Sequence, residues 1–559
     1  MTESIALDDL STGFVRHRES DARQYHELGL WRDTPLWRLL WDQASTTPEA
    51  TAVTDTERCL TYAELADAAA ARAAGFAESG LRPGDRVIMQ NQNSVAFAVN
   101  LFGLLRAGLA PVMTLPAHRI NEIAHLARAS GAVGYISHDQ AAGFDYRSLA
   151  TDLAARVPAV THLYVDGDPG DLSPPPVGDP TSAPATPNDF DPDSPALFLV
   201  SGGTTGLPKL IARSHNDYRH NAEKSADIAG FSASDTYLVA LPAAHNFPLA
   251  CPGLLGIIAV GGHAVFTADP APDNAFELIE KYRVSAVALV PALTQVWTAA
   301  TEWEPADISS LRLLQVGGAR LAESDAIAAN QAFNGAVQQV FGMAEGLICY
   351  TRPDDDRQTV ARTQGRPMSE LDVVRIVDEN GNTVSDGIEG ELLVKGPYTI
   401  RGYYRDDDHN ARSFTDDGYY RSGDRVRRTA SGHLIVTGRI KDTIVRGGEN
   451  VAADDVEENL LAHPGIRQAA VVGVPDATLG EKICAAIVVS GPAPDLPAVR
   501  QFLAGRGLST FKQPDLLRVV DSLPLTAVGK IDKRTLLKRL TPEAGTAVTV
   551  GGPTGSPTG

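Results

Sequence analysis

The chain has 559 residues, 43% hydrophobic and 21% charged, which suits a globular protein of about two to four domains and not a single core. Its net charge of −20 excludes a protein whose main work is coating nucleic acid, since phosphate binding needs clustered Lys and Arg. The four cysteines, Cys59, Cys251, Cys349 and Cys484, form no CxxC pair, which argues against a zinc site or disulfide framework and for free thiols in a reducing compartment.

The start, Met1-Thr2-Glu3-Ser4-Ile5, has no basic or apolar leader, and the longest apolar run, near Leu254–Val260, is short of the ~20 residues that span a bilayer. A cytoplasmic protein without membrane contact is expected. From Leu36 to Gly80 the pattern is largely helical, broken by strand-like Thr51-Ala52-Val53 and a turn at Asp55-Thr56-Glu57. Thr61-Tyr62-Ala63-Glu64 reads as a capping box opening an Ala-rich helix. Arg86-Val87-Ile88-Met89 reads as a buried strand, and Gly134-Tyr135-Ile136 and Val284–Val290 continue an alternation of strands with helices. That alternation predicts α/β layers with largely parallel sheets. Asp166–Ser194, rich in Pro, Asp and Ser, predicts a surface loop before the strand Ala196–Val200.

Directly after that strand comes Ser201-Gly202-Gly203-Thr204-Thr205-Gly206-Leu207-Pro208-Lys209. Its glycines allow close backbone approach to an anion, its hydroxyls add donors, and Lys209 adds a mobile charge. The glycines alone read equally as a phosphate cradle or as a flexible Gly/Thr turn. It is not a Walker A loop, because Pro208 precedes the lysine and Leu210 follows it. After Gly438 the texture changes. Short strands, Ala469–Val472 and Ala485–Val488, alternate with helices, Ala453–Ala462 and Leu496–Gly505, predicting a small α+β domain. The tail from Thr546 to Gly559 is mostly Gly, Pro, Ser and Thr and is expected to be disordered.

The nine-residue string resembles the signature loop of the adenylate-forming superfamily: acyl-CoA synthetases, peptide-synthetase adenylation domains and luciferase. Four further motifs follow in the order that family requires. Phe341-Gly342-Met343-Ala344-Glu345 resembles its aromatic-Gly-x-Thr-Glu motif, with Ala344 in place of threonine. Glu345 would be catalytic and hold Mg²⁺, which prefers hard oxygen ligands. Tyr420-Arg421-Ser422-Gly423-Asp424 resembles the motif whose aspartate accepts the ribose hydroxyls. Gly438 to Asn450 resembles the hinge region, with Arg439 near ribose or phosphate and Lys441 at the hinge. Pro524–Ile531 resembles the C-terminal motif, whose lysine, Lys530, offsets charge as a carboxylate attacks the α-phosphate.

The resemblance covers Leu30 to Leu540. It implies a large N-terminal α/β domain, residues 1–438, with layered subdomains and a distorted barrel. A small mobile α+β C-terminal lid, 439–545, and the tail, 546–559, would follow. ATP would meet Ser201, Gly202, Gly203, Thr204, Thr205, Gly206, Lys209, Gly318, Ala319, Val340, Asp424 and Arg439, with His245 beside Lys530 and Glu345 as catalytic residues.

Pro242–Gly253 bears on the acid. Amino-acid-activating members keep an aspartate where this chain has Asn246, which cannot balance an α-ammonium but can bond a carboxylate and an ortho hydroxyl. His245–Pro248, Gln315–Ala319, Gln339–Gly346 and Gly396–Tyr404 resemble stand-alone aryl-acid AMP ligases of siderophore pathways, in which Ala344 is normal. Members specific for 2,3-dihydroxybenzoate have serine at Cys251 and valine at Ile348. A thiol donates weakly and Ile348 adds bulk, so salicylate is expected in a pocket of Asn246, Phe247, Cys251, Gly317, Gly342 and Ile348. Cys251 also reads as a plain packing residue, and 2,3-dihydroxybenzoate, 6-methylsalicylate and 3-hydroxypicolinate stay open as substrates, as does aryl-CoA ligase activity. No carrier motif occurs in the chain, so the acyl acceptor is expected to be an aryl carrier domain on a separate peptide synthetase.

Overall fold

The structure is a computed structural model that describes residues 10–185, 190–201, 208–446, 449–476, 478–506, 508–526 and 529–541. Two compact units divide it. The larger comprises Met1–Ile440 with Ala527–Lys530, and the smaller Lys441–Thr526 with Ile531–Gly559. The boundary after Ile440 is two residues beyond the expected 438, and the expected tail lies outside the described residues.

Three sheets build the larger unit. In the first, six strands run in sequence through parallel pairs: Val337–Met343, Leu313–Gly317, Ala286–Leu289, Thr236–Val239, His263–Phe266 and Thr51–Thr54. Antiparallel strands extend both edges, including Gly346–Tyr350 beside Val337–Met343. The second sheet orders Leu210–Ser214, Pro195–Val200, Ala110–Met113, Arg86–Gln90, Gly134–His138 and His162–Asp166, all parallel except the first pair. Its central strand Arg86–Gln90 is buried at every position, as continuous apolar runs in parallel sheets are. The parallel expectation therefore holds for these two layers.

The third layer is antiparallel throughout. Val373–Val377, Gly390–Lys395, Tyr420–Arg428 and Leu434–Arg439 form a four-stranded antiparallel sheet. Gln364 joins it to the first sheet: its amide donates to Gln339 Oε1 at 3.1 Å, and its oxygen accepts from the Val436 N–H at 2.8 Å.

The smaller unit pairs Ile466–Asp476 with Gly480–Val489 in a long antiparallel hairpin. Helices Ala453–Leu461 and Leu496–Gly505 cover one face, and Val456, Leu460, Val499 and Leu503 are buried there. The helix Lys533–Leu540 closes the other face through Leu536 against Ala470 and Cys484. All four cysteines are free thiols. Among the described residues no helix is long and apolar enough to cross a membrane.

Candidate active site

Strands Pro195–Val200 and Leu210–Ser214 pair antiparallel, so Ser201–Lys209 is the loop of a hairpin that turns at the strand ends. Its neck is tied twice. The Ser201 N–H donates to the Lys209 carbonyl at 3.0 Å, and the Lys209 N–H donates to Ser201 Oγ at 3.0 Å. Gly202, Gly203, Thr204, Thr205 and Gly206 lie outside the described residues. Lys209 Nζ stands 4.4 Å over the Tyr403 ring. Burial lowers its pKa, and Glu345 and Asp406 pull the other way.

Glu345 sits in the turn between strands Val337–Met343 and Gly346–Tyr350. Tyr403 Oη donates to its Oε1 at 2.8 Å, and its second oxygen takes no hydrogen bond from a described residue. The turn is held by its backbone. The Ile400 N–H donates to the Glu345 carbonyl at 2.8 Å, and Arg213 Nη1 donates to the Ala344 carbonyl at 3.1 Å. A Cβ on Gly346 would fall 2.7 Å from Thr399 Cα, so this close approach admits only glycine.

Asp424 and Arg439 are cross-strand partners in the antiparallel sheet, and Arg439 Nε lies 2.9 Å from Asp424 Oδ1. Burial raises the Asp424 pKa and the Arg439 charge lowers it. A buried carboxylate with a cation on one oxygen keeps acceptor capacity for hydroxyls.

The residues expected to line the acid pocket come from three segments. Asn246, Phe247 and Cys251 come from the short helix Asn246–Ala250 and its end. Asn246 Oδ1 accepts from Tyr218 Oη at 2.9 Å, and its Nδ2 lies 3.4 Å from Cys251 Sγ. Burial pushes the Cys251 thiol up to about 12, so it stays neutral. The Phe247 ring lies on Gly317, where a Cβ would come within 3.0 Å of the ring and 2.8 Å of the Val340 carbonyl. Ile348, fully enclosed, pairs with Gly342 across the hairpin, and its Cγ1 would meet a Cβ there at 3.2 Å.

His245 caps the same helix: its Nδ1 accepts from the Phe247 N–H at 3.3 Å, which leaves the ring proton on Nε2. Burial, aided by the Lys530 charge, pushes His245 down to about 3, so the ring is neutral. Leu241, His245, Phe247, Val290, Gly318 and Lys530 line one cleft of the larger unit. Gly318 has φ +84°, and a Cβ there would lie 3.4 Å from Lys530 Cε. Ala319 follows at the surface. Lys441 opens the smaller unit in the turn Ile440–Asp442, and the neighbouring Gly447 and Gly448 lie outside the described residues.

The site also holds residues that the motifs do not single out: Arg213, Tyr218, Tyr403 and Tyr420. Arg213 had a local signal, a cation inside the apolar strand Leu210-Ile211-Ala212-Arg213-Ser214 with Asp217 four residues on. Tyr403 and Tyr420 fall inside strings already quoted but nothing there marks their hydroxyls, and Tyr218 had no signal, because these hydroxyls meet partners 17 to 58 residues away.

Comparison with known proteins identifies the family. Residues 40–404 match the family described as AMP-binding enzyme, and residues 455–530 match the AMP-binding enzyme C-terminal domain. The chain is 49% identical to the salicyl-AMP ligase / salicyl-S-ArCP synthetase of Mycobacterium tuberculosis, over 94% of each chain. It is 43% identical to the vibriobactin-specific 2,3-dihydroxybenzoate-AMP ligase of Vibrio cholerae, over 95% of this chain and 98% of that one. The apo structure of Mycobacterium smegmatis MbtA is similar with a TM-score of 0.73 at 50% identity, covering 95% of this chain and 99% of that one.

Proposed function

The chain belongs to the AMP-binding enzyme family, and on that premise we propose that it is a ligase that converts salicylate and ATP into salicyl-AMP and pyrophosphate, then passes the salicyl group to a thiol. The observation that carries the substrate is the pair Asn246 and Cys251. A neutral amide stands where an ammonium would need a carboxylate, and a buried thiol, a poor donor, lies against it. That wall suits an aryl carboxylate and offers little to a ring 3-hydroxyl. The 49% identity to a salicyl-AMP ligase supports the same choice over 2,3-dihydroxybenzoate.

In the first step a carboxylate oxygen attacks the α-phosphorus. A P–O bond forms, the bond to the β-phosphate bridge breaks, and pyrophosphate leaves with the electron pair. Two anions must meet, so Lys530 is assigned to neutralise charge that grows at the α-phosphate. Neutral His245, with its proton on Nε2, is assigned as a donor beside it. Asp424 would accept the ribose hydroxyls with Arg439 fixing it, and Ser201 through Lys209 would hold the phosphates. Gly318, Ala319 and Val340 would form part of the surface for the nucleotide.

Family members use ATP. Mg²⁺ is part of the proposal. Glu345 keeps one carboxylate oxygen without a described partner, and no cluster of three or more His, Cys, Asp or Glu occurs among the described residues. A lone carboxylate fits a hard cation that keeps waters and phosphate oxygens. Bound there, it would supply neutralisation of phosphate charge.

In the second step a thiolate sulfur attacks the acyl carbon, the acyl–O bond breaks and AMP leaves; the thiol proton goes to solvent. The acceptor is proposed to be an aryl carrier domain in trans, with Lys441 as the hinge residue. ATP–pyrophosphate exchange with a panel of aryl acids tests the reading. Salicylate is expected to outpace 2,3-dihydroxybenzoate, and exchange with no aryl acid sinks it.

A further inference from the structure

Asn246 is useful to a carboxylate only if its amide is turned the right way, because one end donates and the other accepts. Tyr218, fully buried on the helix His215–Ile228, donates its hydroxyl to Asn246 Oδ1 at 2.9 Å. Nδ2 is thereby left on the Cys251 side as a donor. The phenol has reason to donate and not accept. The Arg213 guanidinium lies 4.6 Å from the Tyr218 ring centroid, and a cation over the ring face polarises the O–H outward.

Arg213 cannot swing away. Its side chain is fully buried, and its three nitrogens are all engaged. Nε donates to Asp217 Oδ1 at 2.9 Å, Nη1 to the Ala344 carbonyl at 3.1 Å and Nη2 to the Tyr398 carbonyl at 3.1 Å. Asp217 is itself held by the Ser214 N–H at 2.9 Å. The same guanidinium thus supports Tyr218 and the turn that carries Glu345.

We infer that Tyr218 and Arg213 are positioning residues for adenylate formation, Tyr218 fixing the Asn246 amide with its donor end toward the acid and Arg213 holding Tyr218 and the Glu345 turn in register. This rests on the reading that Asn246 meets the carboxylic acid. It goes further in assigning which atom of Asn246 does so and what sets it. Without the phenol hydroxyl the amide loses its lock and both orientations become open. Acid binding weakens while ATP binding and the chemical step do not.

The test uses the full chain and pyrophosphate exchange with whichever acid the wild-type protein activates best, so a wrong guess of salicylate does not affect it. Tyr218→Phe keeps the ring and its packing. It is expected to raise the KM for the acid roughly tenfold, the worth of one buried hydrogen bond, with kcat and the KM for ATP within about twofold. Arg213→Lys keeps a charge but loses the fork. It is expected to raise the acid KM and also lower kcat, since the Glu345 turn loosens. An acid KM within about twofold of wild type in Tyr218→Phe overturns the inference. So does a rise in the ATP KM that matches the rise for the acid, which would mean a general structural role. If Arg213→Lys does not fold, Tyr218→Phe alone decides.

Discussion

Cys251 and Lys530 carry the two residue-scale claims that chemistry can separate. The Cys251 sulfur lies among amides, 3.4 Å from Asn246 Nδ2 and 3.9 Å from Asn221 Nδ2, with its thiol held neutral by burial. A hydroxyl in its place would donate strongly to a ring 3-hydroxyl. Cys251→Ser is therefore expected to shift the ratio of kcat/KM for 2,3-dihydroxybenzoate over salicylate upward by about tenfold, read by exchange with each acid. An unchanged ratio would make Cys251 a packing residue. Lys530 stands near Gly318 and His245, and its charge helps hold His245 neutral. Lys530→Ala is expected to lower exchange by a factor of about 10²–10³, the scale of losing one transition-state donor. The residue types were legible in the sequence at both positions. The partners of Asn246 were not, because Tyr218 is 28 residues away and meets it only through packing.

Elements position these residues through their ends. The helix Tyr62–Glu78 opens with a reciprocal box: the Glu64 N–H donates to Thr61 Oγ1 at 3.2 Å, and the Thr61 N–H donates to Glu64 Oε2 at 2.8 Å. It is far in function from the site, so Thr61→Ala is expected to cost about 1 kcal/mol in thermal or urea unfolding and leave exchange unchanged. The box was readable because a cap is local in sequence. The neck of the hairpin loop is a different case. Ser201 Oγ accepts the Lys209 N–H, a bond that closes the loop before any nucleotide arrives. Ser201→Ala is expected to raise the KM for ATP several-fold with the acid KM nearly constant, since preorganisation of the phosphate loop is what it removes. The sequence announced a glycine-rich loop after a strand. That the returning strand pairs antiparallel with the first depends on long-range register.

Across the larger unit, buried histidines set the response to acid. Burial pushes His17, His215 and His245 down to about 3, and His138, His220 and His263 to about 4, against an ordinary value of 6.5. Between these values and 6.5 the unfolded chain binds protons that the folded one does not, so stability rises with pH through that window. Asp372 opposes them. Burial pushes it up to about 7, so from about pH 4 to 7 its contribution falls as pH rises. Burial also raises the carboxyls of Asp166, Asp217, Asp325 and Asp424, which act in the same direction as Asp372, and the six histidines are the more numerous set. The melting temperature of the larger unit is expected to climb between about pH 4 and 6.5 and then level off, as calorimetry would show; a flat profile would contradict the burial of these rings.

What the sequence determined by itself was local or ordered along the chain: caps, apolar runs, a glycine-rich loop after a strand and the succession of motifs that carry Glu345, Asp424, Arg439 and Lys530. Motifs of this kind are short because each residue's chemistry needs only its neighbours. The tertiary structure alone decided the antiparallel third sheet, which sets Asp424 against Arg439, and the buried chain Asp217–Arg213–Tyr218–Asn246. Arg213, Asp217 and Tyr218 are neighbours along the chain, but the contacts of Asp424 with Arg439 and of Tyr218 with Asn246 join separate segments. Their energy comes from excluding water around paired polar groups, and no pattern of composition or spacing records which groups will be enclosed together.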